Sequence, residues 1–190
     1  VILCGGSGRR LGQLGKKIPK SLVKIRQKPI IWFILKSLKK NRFNHFILPI
    51  GYKGNQIKKY IRQNSEFSNY KIELIDTGNK TSIAKRIFKI KKFIKSENFL
   101  ILNGDSIFDT NLNHIFNIHI KKKYDISFIS CEAKADFGTI GTINGKVINF
   151  QRNLNFGSVL TDKKHYLGYV YSGMAVINKK ILSEKFKDSS

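Results

Sequence analysis

Three short strings hold the residues best suited to chemistry in this chain of 190 residues. The first is Gly5-Gly6-Ser7-Gly8-Arg9-Arg10-Leu11, followed by Pro19-Lys20. Glycine lets backbone N–H groups approach an anion closely and adopt positive φ, and clustered N–H groups form anion-binding nests. Arginine and lysine add the positive charge that a polyphosphate needs. The second string is the polar loop Asp76-Thr77-Gly78-Asn79-Lys80-Thr81, and the third is Asn103-Gly104-Asp105. The chemistry suggested by the first is the cradling of a nucleoside triphosphate at the mouth of an α/β sheet. A tight strand-to-helix turn with incidental basic residues is the competing account.

Two better-known phosphate loops are excluded. A P-loop needs Gly-x-x-x-x-Gly-Lys followed by Ser or Thr, whereas Lys20-Ser21 follows Pro19. The dinucleotide fingerprint Gly-x-Gly-x-x-Gly fits Gly6-x-Gly8 but meets Leu11 at its third place, with Gly12 one residue late.

Alternating strands and helices must position these strings. Val1–Cys4 reads as a strand that runs into the first loop. Pro29 takes the first-turn place of a helix, whose face is Ile30, Ile31, Ile34, Leu35 and Leu38. Phe46–Ile50 is the next strand, Gly51-Tyr52-Lys53-Gly54 a turn, Asn55–Gln63 a helix and Lys71–Ile75 a strand. After the second string, a helix carries Ile83, Ile87, Ile90 and Ile94 inward with Lys85, Lys89 and Lys92 outward. Phe99–Leu102 lacks polar alternation, as a strand buried on both faces should. Leu112, Ile115 and Phe116 mark a helix that Asp109 is expected to cap or to precede with a turn, and Ile126–Cys131 is a strand. Phe137–Ile143, the Asn144-Gly145 turn and Lys146–Phe150 carry a hairpin signal. Tyr169–Ile177 is a last strand, and Asn178–Phe186 is predicted as a helix. The order predicts a mostly parallel, doubly wound α/β sheet with a small β-hairpin region toward the C-terminus. Right-handed crossovers would gather the polar loops at the carboxyl edge of that sheet.

Composition narrows the class. The net charge of +24 would suit nucleic acid or an anionic membrane surface. The lysines are nonetheless spread through nearly every segment, as in Lys16-Lys17, Lys39-Lys40, Lys58-Lys59, Lys91-Lys92 and Lys121-Lys122-Lys123. Lys, Ile, Asn and Phe are abundant together, the mix an AT-rich coding sequence produces without selection for binding. No specific nucleic-acid partner is therefore expected, only a general pull on anionic substrates. No stretch reaches the length of a membrane span and no signal-peptide pattern occurs, so a cytoplasmic location without membrane contact is expected. Cys4 and Cys131 both lie in apolar runs, which argues for buried thiols in a reducing compartment. His45, His114, His119 and His165 are scattered without zinc-ligand spacing and are expected to be structural.

In sequence order, the strings carry a resemblance. Leu3-Cys4-Gly5-Gly6-Ser7-Gly8-Arg9-Arg10-Leu11 with Pro19-Lys20 resembles the opening of the sugar-1-phosphate nucleotidyltransferases, or nucleoside-diphosphate-sugar pyrophosphorylases. The usual form there is Leu-Ala-Gly-Gly-x-Gly-Thr-Arg-Leu and then Pro-Lys. Gly51-Tyr52-Lys53-Gly54 and Leu100-Ile101-Leu102-Asn103-Gly104-Asp105 are similar to the same family. Asp76-Thr77-Gly78-x-x-Thr81 with Arg86-Ile87 is most similar to its glucose-1-phosphate cytidylyltransferase branch. The resemblance covers nearly the whole chain and implies a Rossmann-like nucleotidyltransferase fold.

It also implies roles. Leu3, Gly5, Gly6, Gly8, Asp76, Thr81 and Gly104 would line the nucleotide. Arg10 would grip its phosphates and Lys20 would neutralise charge on the reacting ones. Asp105 would hold Mg²⁺. Gly138 matches the acceptor-site glycine of the family. The implied partners are a nucleoside triphosphate, CTP favoured, and a phosphorylated small-molecule acceptor; a homo-oligomer is compatible. The implied reaction, in nucleotide-sugar and polysaccharide synthesis, moves CMP from CTP to a sugar 1-phosphate with release of pyrophosphate. The runner-up is a guanylyl- or uridylyltransferase for a heptose or hexose phosphate. A cytidylyltransferase for a non-sugar phosphate and a non-catalytic nucleotide-binding relative are the further alternatives.

The acceptor half departs from the pattern. The family reads Phe-x-Glu-Lys-Pro after the hairpin, but this chain reads Phe150-Gln151-Arg152-Asn153-Leu154. Arg152 is the candidate acceptor-phosphate residue there, although it cannot be equated with a lysine. The Asn-x-Gly sugar contact appears as Tyr171-Ser172-Gly173, and the paired glycines of the middle loop as Ala84-Lys85. Val1 opens inside a strand, and the chain stops before any second metal-binding aspartate. One nucleotidyltransferase domain, truncated at both ends, is therefore expected over 1–190, with 1–135 the nucleotide-binding half and 136–190 the acceptor-binding half.

Overall fold

The computed structural model describes residues 1–131, 133–134, 139–151, 155–156, 158–161, 164–167 and 170–183. The chain forms two compact units, Val1–Ser127 with Ala175–Ser190, and Phe128–Met174.

In the first unit four strands each lead through a loop into a helix. They are β1 (Ile2–Leu3), β2 (His45–Ile50), β3 (Lys71–Asp76) and β4 (Asn98–Asn103). The helices α1 (Gly12–Lys17), α2 (Ile30–Lys40), α3 (Gly54–Gln63), α4 (Ile83–Ile90) and α5 (Leu112–Lys121) alternate with them. β1 pairs in parallel with β4, Ile2 opposite Leu102 and Leu3 opposite Asn103. β2 pairs in parallel with β3, from His45 opposite Lys71 to Ile50 opposite Asp76. A parallel bridge between Cys4 and Ile50 joins the two pairs, so the strand order is β3-β2-β1-β4. Because these strands run the same way, the loops after β1, β2, β3 and β4 all emerge at one edge, as the crossover argument requires.

Burial explains why the strands are so apolar. Phe99 and Ile101 of β4 share one core cluster with Ile47, Ile90, Ile94, Ala175, Ile177 and Leu182. Their neighbours Leu100 and Leu102 point the other way and are also buried. The sheet is therefore covered on both faces, which is the doubly wound α/β arrangement. α2 buries Ile31, Ile34, Leu35 and Leu38 of the predicted face, each contributing about 1.5–3 kcal/mol of apolar transfer, while Ile30 at its first turn is half-buried.

β8 (Val170–Asn178) lies beside β4, and β5 (Ile126–Cys131) lies beyond it at the edge, in the sheet order β1-β4-β8-β5. The hairpin of the second unit pairs β6 (Thr139–Ile143) with β7 (Lys146–Gln151). Asn144 and Gly145 both have positive φ, 49° and 76°, the backbone a two-residue hairpin turn demands.

Several local expectations need correction. Ile83 is 59% exposed, because it sits in the first turn of α4 and the inward positions there are Arg86 and Ile90. Asn111, not Asp109, caps α5 by accepting from the His114 amide at 3.2 Å. Pro29 ends a two-residue ladder and is the N-cap of α2 rather than its first helical residue. Only a short 3₁₀ turn, Lys179–Leu182, follows Asn178; extended Ser183 ends it, and 184–186 lie outside the described residues. Cys4 is buried but Cys131 is exposed, since β5 is the edge strand of its sheet. Among the described residues no helix is long and apolar enough to cross a membrane.

Candidate active site

The loop edge of the first unit brings Lys20 and Asp105 together. Extended Pro19 caps a 3₁₀ turn over Lys20–Leu22, and the Lys20 Nζ lies 2.7 Å from Asp105 Oδ2. Both side chains stay about a third exposed, at 28% and 33%, so the pair is open to solvent and ligand. The Lys20 stem runs past Gly8, where a Cβ would meet Lys20 Cγ at 3.4 Å. Gly8 has φ 63° and caps the 3₁₀ turn Arg9–Leu11, which only a residue at ease in left-handed backbone does without strain. Arg10 belongs to that turn; its side chain is outside the described part of the structure.

Asp105 follows Gly104, and Gly104 is a glycine for a packing reason. A Cβ there would stand 2.7 Å from the Leu3 carbonyl oxygen and 2.8 Å from Cys4 Sγ. The Gly104 amide donates to the same Leu3 oxygen at 3.0 Å, so the ends of β1 and β4 are locked together beneath Lys20 and Asp105. Burial pushes the Cys4 thiol up to about 12, which makes it an inert core residue rather than a nucleophile. Gly6 is different: it is exposed, and a Cβ on it would meet nothing within 4 Å.

A second cluster links three of the loops through Arg86, to which the sequence reading attached no role. Its Nη1 donates to Ile50 O at 3.3 Å and to Thr77 Oγ1. Its Nη2 donates to Gly5 O at 2.9 Å and Asn79 O at 3.3 Å. Arg86 is 4% exposed. Burial draws its pKa down from the usual arginine value, and nearby Asp76 acts in the opposite direction. Two signals pointed to it: Arg86-Ile87 belongs to the cytidylyltransferase-like string, and Arg86, Ile90 and Ile94 recur every four residues on the inward side.

Asp76 ends β3 and is exposed; its Oδ1 accepts from the Gly78 amide at 2.9 Å, shaping an Asx-type turn. Thr77 is buried and donates its hydroxyl to Ile50 O at 2.7 Å. Thr81 Oγ1 donates to Thr77 O at 2.6 Å, and Lys89 Nζ donates to the same oxygen at 2.9 Å. Leu3, Gly5, Gly6, Gly8, Lys20, Asp76, Thr81, Gly104 and Asp105 therefore all stand at the loop edge or its strand ends. Gly138 and Arg152, as well as Asn153, lie outside the described residues.

The donor set suits a divalent cation completed by its substrate. Asp105 offers one accessible carboxylate at a strand end, and the described residues hold no group of three or more metal-ligand side chains. Mg²⁺ binds in this way, through one or two carboxylates plus substrate phosphates rather than in an all-protein cage.

A doubly wound sheet with glycine-rich, cationic and carboxylate-bearing loops on its carboxyl edge defines an α/β phosphate-ligand protein. The comparisons sharpen that class. The family described as nucleotidyl transferase matches residues 1–151. A probable glucose-1-phosphate cytidylyltransferase of Bacillus subtilis (strain 168) is 31% identical, with 100% of this chain and 78% of that one covered. A D-glycero-alpha-D-manno-heptose 1-phosphate guanylyltransferase of Campylobacter jejuni is 34% identical, over 98% of this chain and 80% of that one. The crystal structure of HddC from Yersinia pseudotuberculosis superposes with a TM-score of 0.71 at 21% identity, covering 96% of this chain and 77% of that one. The chain belongs to the nucleotidyl transferase family and is a sugar-phosphate nucleotidyltransferase.

Proposed function

We propose that this enzyme moves CMP from CTP to a sugar 1-phosphate. An acceptor phosphate oxygen bonds to the α-phosphorus, the bond to the β-phosphate bridging oxygen breaks, and pyrophosphate leaves. The acceptor phosphate is already ionised near neutral pH, so no general base is required. Positioning and charge stabilisation are the main tasks for two anionic reactants. The observation that carries the reading is the meeting of Lys20 with Asp105 beside the glycine-rich loop.

In this reading the backbone of Gly5, Gly6 and Gly8 approaches the triphosphate, with Leu3 and Gly104 forming the floor. Arg10 grips phosphate oxygens and Lys20 offsets charge on the reacting phosphates. Asp76 and Thr81 flank the nucleotide. Asp105 would hold Mg²⁺, which when bound shields phosphate charge and aligns the attacking and leaving oxygens. Residues 136–190 form the acceptor half, in which Gly138 and Arg152 take the acceptor. The activity serves nucleotide-sugar and polysaccharide synthesis in the cytoplasm, where nucleoside triphosphates are available, and a homo-oligomer is compatible with it.

CTP is favoured by the Asp76-Thr77-Gly78-x-x-Thr81 string and by the cytidylyltransferase relative. A second reading, GMP from GTP to a heptose 1-phosphate, is favoured by the guanylyltransferase relatives at 32% and 34% identity. The decisive experiment crosses CTP, GTP and UTP with glucose 1-phosphate, a heptose 1-phosphate and non-sugar phosphates. Mg²⁺-dependent pyrophosphate release is the readout. Turnover with CTP and a hexose 1-phosphate is expected; turnover with GTP or UTP but not CTP rejects the cytidylyl assignment.

A further inference from the structure

Arg86 is a buried cation whose hydrogen bonds go to neutral groups. Its four acceptors are the carbonyls of Gly5, Ile50 and Asn79 and the hydroxyl of Thr77. No carboxylate of the described residues forms an ion pair with it. Guanidinium tolerates such a site better than ammonium, being weakly hydrated and carrying five donors in a rigid fork. The acceptors lie just after β1, at the last residue of β2 and in the loop after β3, so one side chain sets the spacing between three neighbouring strand ends.

Two glycines are shaped around this group. A Cβ on Gly5 would stand 2.1 Å from Arg86 Nη1 and 2.3 Å from Cζ. A Cβ on Gly51 would stand 2.7 Å from Nη1 and 2.5 Å from the Gly78 carbonyl oxygen. The end of a long side chain normally yields to such a contact. Here it yields only by giving up its hydrogen bonds, because it is buried among them. Neither glycine has positive φ, so backbone conformation does not explain their identity.

We infer that Arg86 is a positioning residue for the nucleotide loops, and that Gly5 is a glycine because the guanidinium occupies the space of its Cβ, as the Gly78 carbonyl and the guanidinium together do at Gly51. Arg86 then acts on nucleotide affinity through the placement of Gly5 and Thr77, without touching the nucleotide. This rests on the reading that these loops hold the triphosphate, and it revises one part of it: Gly5 is required by the protein itself.

A double-mutant cycle tests the inference. Wild type, Gly5→Ala, Arg86→Ala and the double variant are compared by thermal unfolding and by calorimetric titration with Mg-CTP and Mg-GTP. Gly5→Ala alone should lower the melting temperature by several degrees and weaken the bound nucleotide at least tenfold. Arg86→Ala should do the same. Adding Gly5→Ala to Arg86→Ala should cost almost nothing more, since both variants lose the same tie. Equal, independent losses of affinity in the two backgrounds, with an unchanged melting temperature for Gly5→Ala, would mean that Gly5 serves only the ligand and would overturn the inference. Should Arg86→Ala be too unstable to study, the melting temperature of Gly5→Ala alone still separates the two accounts. If wild type binds neither nucleotide, the nucleotide-loop reading fails, while the unfolding arm of the cycle still judges the Arg86 seat.

Discussion

Lys20 Nζ and Asp105 Oδ2 lie 2.7 Å apart although 85 positions separate them in the chain. One arrives on a 3₁₀ turn after Pro19, the other at the end of β4, and both stay accessible. An exposed pair of this kind contributes at most about 1 kcal/mol to stability. Its significance is that a cation and a carboxylate are held ready beside the glycine-rich loop.

That relationship separates stability from activity. Lys20→Ala and Asp105→Asn should each leave the melting temperature within about 3 °C of wild type, the equivalent of about 1 kcal/mol for a chain this size. Mg²⁺-dependent pyrophosphate release should fall by at least about a hundredfold, the scale of losing one electrostatic contact in the transition state. Large unfolding shifts with normal turnover would make the pair structural instead.

Gly6 and Gly104 should respond in opposite ways to alanine. Gly6 has open space beside it and no positive φ, so Gly6→Ala should melt like wild type but bind nucleotide more weakly. Gly104→Ala forces a Cβ to 2.7 Å from a backbone oxygen. Overpacking of that sort typically destabilises by about 1–3 kcal/mol, which denaturant unfolding would register. A stable Gly104→Ala protein would contradict the close approach of β1 and β4.

Trp32 is the sole tryptophan and reports on a surface ion cluster. Its Nε1 donates to Glu66 Oε1 at 3.1 Å, and Lys28 and Lys36 reach the Glu66 oxygens at 2.9 and 3.0 Å. Hydrogen bonds from Lys28, then Lys36 and Trp32, hold the Glu66 carboxyl down to about 2, against an ordinary 4.5. A depressed carboxyl contributes stability above its unfolded pKa, lost as pH falls from there through the folded one. Tryptophan fluorescence should therefore titrate with a midpoint well below 4.5 in wild type, and this transition should vanish in Glu66→Gln. A midpoint at the ordinary glutamate value would remove the cluster from the account.

His119 supplies a second, separate pH dependence. It is 1% exposed, with Nδ1 2.8 Å from Ser127 Oγ and Nε2 3.1 Å from Asn98 Oδ1. The network is satisfied by neutral imidazole donating from Nε2 and accepting at Nδ1. Burial lowers its pKa below the ordinary 6.5, with Asp125 opposing. The folded state thus disfavours the proton, and stability is lost as pH falls below 6.5 toward the folded value. The limiting slope for one such group is about 1.4 kcal/mol per pH unit. Urea unfolding between pH 7.5 and 5 should show a slope that His119→Gln flattens; identical slopes would show that other groups set it.

Local pattern carried a good deal of this protein. Glycine, arginine and lysine types marked the first loop, alternation of apolar runs marked the parallel sheet, and Asn144-Gly145 marked the hairpin of the second unit, because each depends on backbone preferences acting over a few residues. The errors arose where burial is set by distant partners. Ile83 and Cys131 read as core yet are exposed, since a helix's first turn and an edge strand lack a covering layer. Gly5 illustrates the division best. Its presence in a glycine-rich string was plain, and anion approach was the natural reason. Only the folded chain brings Arg86 from 81 positions away to its carbonyl, so the steric cause of that glycine has no trace in the neighbouring residues. Likewise the composition could supply Lys20 and Asp105 as types, but their 2.7 Å contact exists because parallel pairing of β1 with β4 puts both loops on the same edge.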